Sequence, residues 1–194
     1  MVLDIWRNAR LALLLLALVI LYSLVTAGVG QVFFPTQANG SLVTRGGQVV
    51  GSALIGQSFQ GPGYFHGRPS ATVNAATGRS EPYNADNSSG SNLGPTNPAL
   101  LSEVKANIAA VRGQVAGRVP GNLVESSGSG LDPEITLGAA LAQVPAVARQ
   151  TGLTESRVRA LVEREAIGPF LGLYGPWRVN VLRLNLALLQ LEHR

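Results

Sequence analysis

No cysteine occurs in the 194 residues. That excludes disulfides, thiol nucleophiles and Cys-ligated zinc, while leaving the compartment open. Lysine is almost missing as well: Lys105 stands alone against fourteen arginines, so no other position can supply a catalytic lysine. The two histidines, His66 and His193, have no paired metal-ligand spacing, and no metal site is expected. No Gly-rich loop ends in Lys-Ser or Lys-Thr, which excludes a nucleotide-binding P-loop. Clustered basic residues are lacking too. From Pro35 onward 13 basic residues stand against 10 acidic ones, a dispersed excess of three that is too weak for nucleic acid. Glu163 and Glu165 lie two apart, so on a helix they point to different sides and cannot form an acid/base pair. Ser127 or Ser129 could act as a nucleophile only beside a general base, and no neighbouring motif supplies one.

What is present is a charge-free run from Leu11 to Phe34, nearly all Leu, Ala, Val and Ile as far as Tyr22. As a helix, 20 of these residues rise about 30 Å, the thickness of a bilayer's hydrocarbon core. Tyr22, Ser23 and Thr26 can be satisfied by the backbone or near the interface. Trp6, Arg7 and Arg10 precede the run as membrane-interface anchors, and no basic residue follows until Arg45. The positive-inside rule then puts residues 1–10 in the cytoplasm, a transmembrane helix at 11–34 and a domain at 35–194 outside. The alternative is a cleaved secretory signal with Val25-Thr26-Ala27 at the cleavage site. An apolar run reaching past Gly30 is long for one.

Pro35 ends the membrane helix. Residues 36–50 are polar and Gly-rich, and a short apolar run predicts a strand at 52–56. Residues 72–98 are rich in Asn, Ser, Gly, Thr and Pro. They read as a long loop, either mobile or functional. Asn97-Pro98 caps a helix over 98–117, with Leu101, Val104, Ile108, Val111 and Val115 on one face. A brief strand is expected at 121–124, followed by a Gly/Ser turn at 126–130 whose backbone N–H groups could meet an anion. Asp132, before Pro133, caps or turns the chain. Thr136 caps a second helix over 136–151, which Pro145 should kink or end early. Thr154 caps a third over 154–166, with Leu153 and Val158 placed as a hydrophobic staple. Alternating apolar residues over 178–188 predict a strand with a bulge. The fold class is α+β: a single N-terminal transmembrane helix, then one soluble domain with a small sheet and about three helices.

Several blocks together carry a resemblance: Gly51–Gln57 (GSALIGQ), Tyr64–Ala71 (YFHGRPSA), Ser91–Pro98 (SNLGPTNP), Ser127–Pro133 (SGSGLDP), and Arg178–Leu182 with Leu184–Leu188. In this order, behind one N-terminal helix, they resemble the C subunit (KdpC) of the bacterial Kdp potassium-transporting P-type ATPase. The resemblance spans the soluble domain, and it makes the loop ending at Ser91–Pro98 an ordered family feature. Three departures stand out. Glu134-Ile135-Thr136 replaces the usual His-Ile-Ser, Pro145 is local to this chain, and Gly175-Pro176-Trp177 replaces a more usual Gly-Glu-Pro.

The resemblance implies a non-catalytic accessory subunit in the inner membrane. Its implied partners are a channel-like potassium-binding subunit, a P-type ATPase subunit and a small membrane subunit. This chain has neither an Asp-Lys-Thr-Gly phosphorylation motif nor a Thr-Val-Gly-Tyr-Gly filter, in keeping with that role. The resemblance further implies a catalytic chaperone that raises the ATP affinity of the ATPase subunit. No tightly bound cofactor is implied; ATP enters through the partner ATPase subunit. An outside domain would act on ATP allosterically. If nucleotide were touched directly, Ser127, Gly128, Ser129, Gly130 and Gln143 are the candidate contacts. The alternative reading is an extracytoplasmic potassium-entrance cap or cation filter. A membrane-tethered enzyme is a third, and no constellation favours it.

Overall fold

A computed structural model describes residues 2–192, with side chains from Ile5 onward; His193 lies outside the described residues. The chain divides into two units, Met1–Val50 and Gly51–Arg194.

The first unit is built on α1 (Val2–Phe33). Its stretch Ile5–Phe33 is long and apolar enough to cross a membrane by length and composition. Ser23 Oγ donates to Val19 O and Thr26 Oγ1 to Tyr22 O, so both hydroxyls are satisfied within the helix. The helix stops one residue before Phe34, and Pro35 opens a single turn, α2 (Pro35–Ala38). Residues 36–52 hold two strands that composition did not reveal, β1 (Leu42–Arg45) and β2 (Gln48–Ser52). Gly46 and Gly47 connect them at φ +58° and +82°. Consecutive positive φ values are what a tight two-residue hairpin requires, and glycine adopts them without strain.

The second unit opens with the last two residues of β2 and then irregular chain, so the strand expected at 52–56 is instead the end of β2 and a turn. Asn97 Oδ1 accepts from Ala99 N to cap α3 (Pro98–Val111), which ends short of Gly117 and has no fully buried residue. The segment expected as a strand at 121–124 is a 3-10 turn, Gly121–Leu123, behind Pro120. Leu123 and Val124 are nonetheless buried; an apolar pair needs burial, not a ladder.

Three helices and a three-stranded sheet enclose the core. Strands β3 (Glu134–Thr136), β4 (Ala166–Ile167) and β5 (Arg178–Asn180) pair in the order β3-β5-β4, antiparallel throughout. Ile135 lies opposite Val179 and both are buried. Arg178 Nε meets Glu134 Oε2 at 2.8 Å across the same strand pair. Thr136 caps α4 (Leu137–Thr151) by accepting from Ala139 N, and Gly152 closes it at φ +71°. Pro145 neither ends nor shortens α4, which is helical to Thr151. Thr154 caps α5 (Glu155–Glu165) by accepting from Arg157 N, and Val158, Leu161 and Val162 face inward. Leu153 packs against the core that contains Val158, as a staple would.

The largest correction falls on 178–188. Only Arg178–Asn180 is strand; the rest is α6 (Val181–Glu192). Leucine at every second position from Leu182 to Leu188 fits a period of 2, yet the same stretch also satisfies one of 3.6. Asn180 decides between them, because its Oδ1 accepts from Arg183 N and starts a helix. Val181, Leu182, Leu184, Asn185 and Leu188 are then buried, at i, i+1, i+3, i+4 and i+7.

Candidate functional site

Between α3 and the segments 57–60 and 66–69 lies a cleft of about 320 Å³, bordered also by Tyr83 and Leu123. Its floor is held by two amide clamps. In α6, Asn185 Oδ1 accepts from Phe65 N and its Nδ2 donates to Phe65 O, both at 2.9 Å. In α4, Gln143 Oε1 accepts from His66 N at 2.8 Å and its Nε2 donates to His66 O at 3.1 Å. Two buried helical amides thus satisfy both backbone groups of two successive loop residues, as a neighbouring strand would. Phe65, gripped this way, is fully buried in the core.

His66 turns its ring toward the cleft. Its Nδ1 lies 3.1 Å from Phe59 O, which requires the proton on Nδ1 and leaves Nε2 as an acceptor. Nε2 is buried with no protein partner. Burial pushes the imidazole pKa below its ordinary value, only partly offset by the carbonyls of Phe59 and Gly61.

Arg68 is the next hub. Its Nη1 meets Asp132 Oδ2 at 3.2 Å, and its Nη2 donates to Glu125 O and Ser126 O at 3.4 and 3.2 Å. The Tyr83 hydroxyl donates to Arg68 O at 2.6 Å. Burial, assisted by the Asp132 charge and opposed by Arg68, pushes the Tyr83 pKa up to about 12. Gly67 is required here, because a Cβ would sit 2.6 Å from the Tyr83 oxygen. Below this pair, Ser70 Oγ donates to Gly130 O at 2.7 Å, and Thr72 Oγ1 to Glu81 O at 2.6 Å. Tyr83 N and Asn84 N return bonds to those two hydroxyls. The long loop at 72–98 is therefore tied at its base by side-chain oxygens in place of a ladder.

These linked segments coincide with the sequence blocks 64–71 and 127–133, and the comparisons cover the same ground. The KdpC family, K+-transporting ATPase, c chain, matches residues 5–190. The chain belongs to the KdpC family. It is 52% identical over 179 residues to the potassium-transporting ATPase KdpC subunit of Methylorubrum extorquens, covering 89% of each chain. Against the KdpC subunit of Rhodopseudomonas palustris strain TIE-1 it is 50% identical over 190 residues, covering 94% of each. A third KdpC subunit, from a Janthinobacterium species, is 50% identical over 180 residues, with 91% and 92% covered.

The residues that sequence marked for nucleotide contact lie in two separate hydrogen-bond systems, and none borders the cleft. Gln143 is buried, and both ends of its amide are engaged by His66. Ser127 is buried with its Oγ unpartnered. Gly128 is exposed, with its carbonyl packed on Gly90. Ser129 Oγ accepts from Leu131 N, and Ser129 O accepts from Ser88 Oγ. Gly130 donates to Ser127 O and holds φ +68° where a Cβ would strike Thr72 and Ser89 O. The segment joins the 3-10 turn to β3, not a strand to a helix as expected. Asp132 does turn the chain, its Oδ1 accepting from Glu134 N. Trp6, Arg7 and Arg10 are exposed near the start of α1. Among the described residues, no cluster of three His, Asp or Glu side chains could hold a metal ion.

Asn185, Tyr83 and Thr72 were not singled out from sequence, yet they hold the site together. For Asn185 a signal exists: one amide inside an all-aliphatic run has to find partners if the run is buried.

Proposed function

We propose that this chain is a non-catalytic accessory subunit of the ATP-driven potassium uptake complex. It assembles with and stabilises the channel-like potassium-binding subunit and the P-type ATPase subunit, alongside the small membrane subunit. It acts as a catalytic chaperone that raises ATP affinity indirectly, from outside the cytoplasm. Arg7 and Arg10 ahead of the apolar run, with no further basic residue until Arg45, support that orientation in the inner membrane. The observation that carries the indirect mode is the state of Gln143 and Gly130. Gln143 has both amide ends engaged by His66, and the Gly130 N–H is bonded to Ser127 O within its own turn. Groups already paired inside the fold would have to break those bonds to hold a phosphate. An allosteric route needs no such loss, and couplings of about 1–3 kcal/mol correspond to 5- to 150-fold in affinity.

The test is the ATP dependence of potassium-stimulated hydrolysis by the complex with and without this chain. Loss of the chain should raise the ATP KM by about fivefold or more. Ser129→Ala should leave that KM unchanged. An unchanged KM without the chain would refute the chaperone role. A KM raised by Ser129→Ala in a folded subunit would point to direct contact.

A further inference from the structure

Between β4 and β5 the chain runs Gly168-Pro169-Phe170-Leu171-Gly172-Leu173-Tyr174-Gly175-Pro176-Trp177, with no charged residue. This loop inverts the usual partition of side chains. Phe170, Leu171, Leu173, Tyr174 and Trp177 are each more than half exposed, Leu173 at 79%. Single exposed apolar residues are ordinary, but five in one short loop form a contiguous patch that marks an interaction surface.

Four backbone N–H groups of the loop are bonded within it. Phe170 N donates to Tyr174 O at 2.9 Å and Tyr174 N to Phe170 O at 3.0 Å. Gly172 N donates to Pro169 O and Leu173 N to Phe170 O. Pro169 and Pro176 have no N–H to satisfy. Leu171 is held at φ +52°, a left-handed conformation that a bulky residue adopts at a cost. At the base, the Trp177 ring lies against Gly168, where a Cβ would come within 3.4 Å of it. The loop is thus a pinned turn with its apolar side chains displayed.

An apolar surface with an aromatic-compatible rim is what these displayed side chains suit. The same chain carries a helix that can cross a bilayer, so the domain is held near lipid at high effective concentration. Aliphatic side chains flanked by Tyr and Trp are the composition of the membrane–water interface, and the four internal N–H bonds lower the penalty of entering it, where water still reaches the remaining backbone groups. We propose that the 168–177 loop is a second membrane contact, inserting Leu171 and Leu173 into the lipid interface with Tyr174 and Trp177 at headgroup level. A single tether leaves a domain free to swing; a second, weak lipid contact restricts it.

The test uses the full chain in vesicles of phosphatidylcholine and phosphatidylglycerol. Trp6→Phe leaves Trp177 as the sole tryptophan. Its emission should be more than halved when the acyl chains are brominated. Leu171→Ser combined with Leu173→Ser should restore most of that emission while leaving the far-ultraviolet circular dichroism and melting profile unchanged, because neither side chain belongs to the core. Equal emission in brominated and plain vesicles overturns the proposal. Quenching that survives the double substitution overturns it as well. A blue shift that appears only on assembly with other subunits, with no quenching in vesicles, overturns it and assigns the patch to a protein partner.

Discussion

Asn185→Leu removes one amide and orphans two buried backbone groups. Asn185 and Phe65 are both fully buried, and the amide makes two bonds of 2.9 Å to Phe65. Leucine keeps the branched shape but sets bulkier methyl groups where the amide made 2.9 Å bonds, so overpacking adds to the loss. The main loss lies in the unpaired Phe65 N–H and C=O, at about 1–3 kcal/mol each. The added apolar burial returns about 1 kcal/mol, leaving a net loss of about 1–5 kcal/mol. Thermal unfolding of the full chain in detergent, followed by circular dichroism, reads this directly. At about 2–4 °C per kcal/mol for a chain of this size, the midpoint should fall by roughly 6–12 °C for a central loss of about 3 kcal/mol. Asn107→Leu is the comparison, since Asn107 donates only once, to Val124 O at 3.0 Å, from a half-buried position on α3. Its cost should stay near 1 kcal/mol, roughly. If the Asn185 variant lost no more than the Asn107 variant, the clamp reasoning would be refuted.

Arg68→Met should cost about 1–3 kcal/mol through loss of the Asp132 pair and two carbonyl bonds, visible in the same melt. Tyr83 has a folded pKa of about 12, above its ordinary value of 10. Its contribution is therefore complete below pH 10 and is lost as the pH rises toward 12. Tyr83→Phe should flatten the stability profile over that window, and the native protein's phenolate absorbance should show one late-ionising tyrosine. His66 has a folded pKa below its ordinary 6.5, so its contribution is complete above pH 6.5 and is lost as the pH falls through the folded value. His66→Gln should make the stability curve shallower below pH 6.5 than in the unsubstituted chain; an equal slope in both would contradict the burial argument.

Helices announced by a cap were legible from sequence. Asn97, Thr136 and Thr154 each accept the bond expected of them, and α4 and α5 begin one residue later. Strands were not legible, because β3, β4 and β5 are two or three residues long and carry too few positions for a period to register. Alternate leucines over 182–188 hid α6, where Asn180 and Asn185 were the informative residues. Pro145 misled because α4 packs against the sheet and α5, and tertiary contacts outweigh a local propensity. Motif logic named Ser127–Gly130 as an anion cradle, whereas Ser70, Thr72 and Ser89 fill the space beside Gly130. The cleft could not be foreseen, since it joins residues from 57 to 123 through an irregular segment.

The absence of cysteine allows a direct test of the central claim, that the domain lies outside the cytoplasm and acts on ATP from there. Ala106→Cys places one thiol at an exposed position on α3, and Asn8→Cys places one near the start of α1. Each variant is labelled with a membrane-impermeant maleimide in intact spheroplasts and again after lysis. The account predicts that Ala106→Cys labels in intact spheroplasts and Asn8→Cys only after lysis. The reverse pattern would contradict it and put the domain on the side where ATP is.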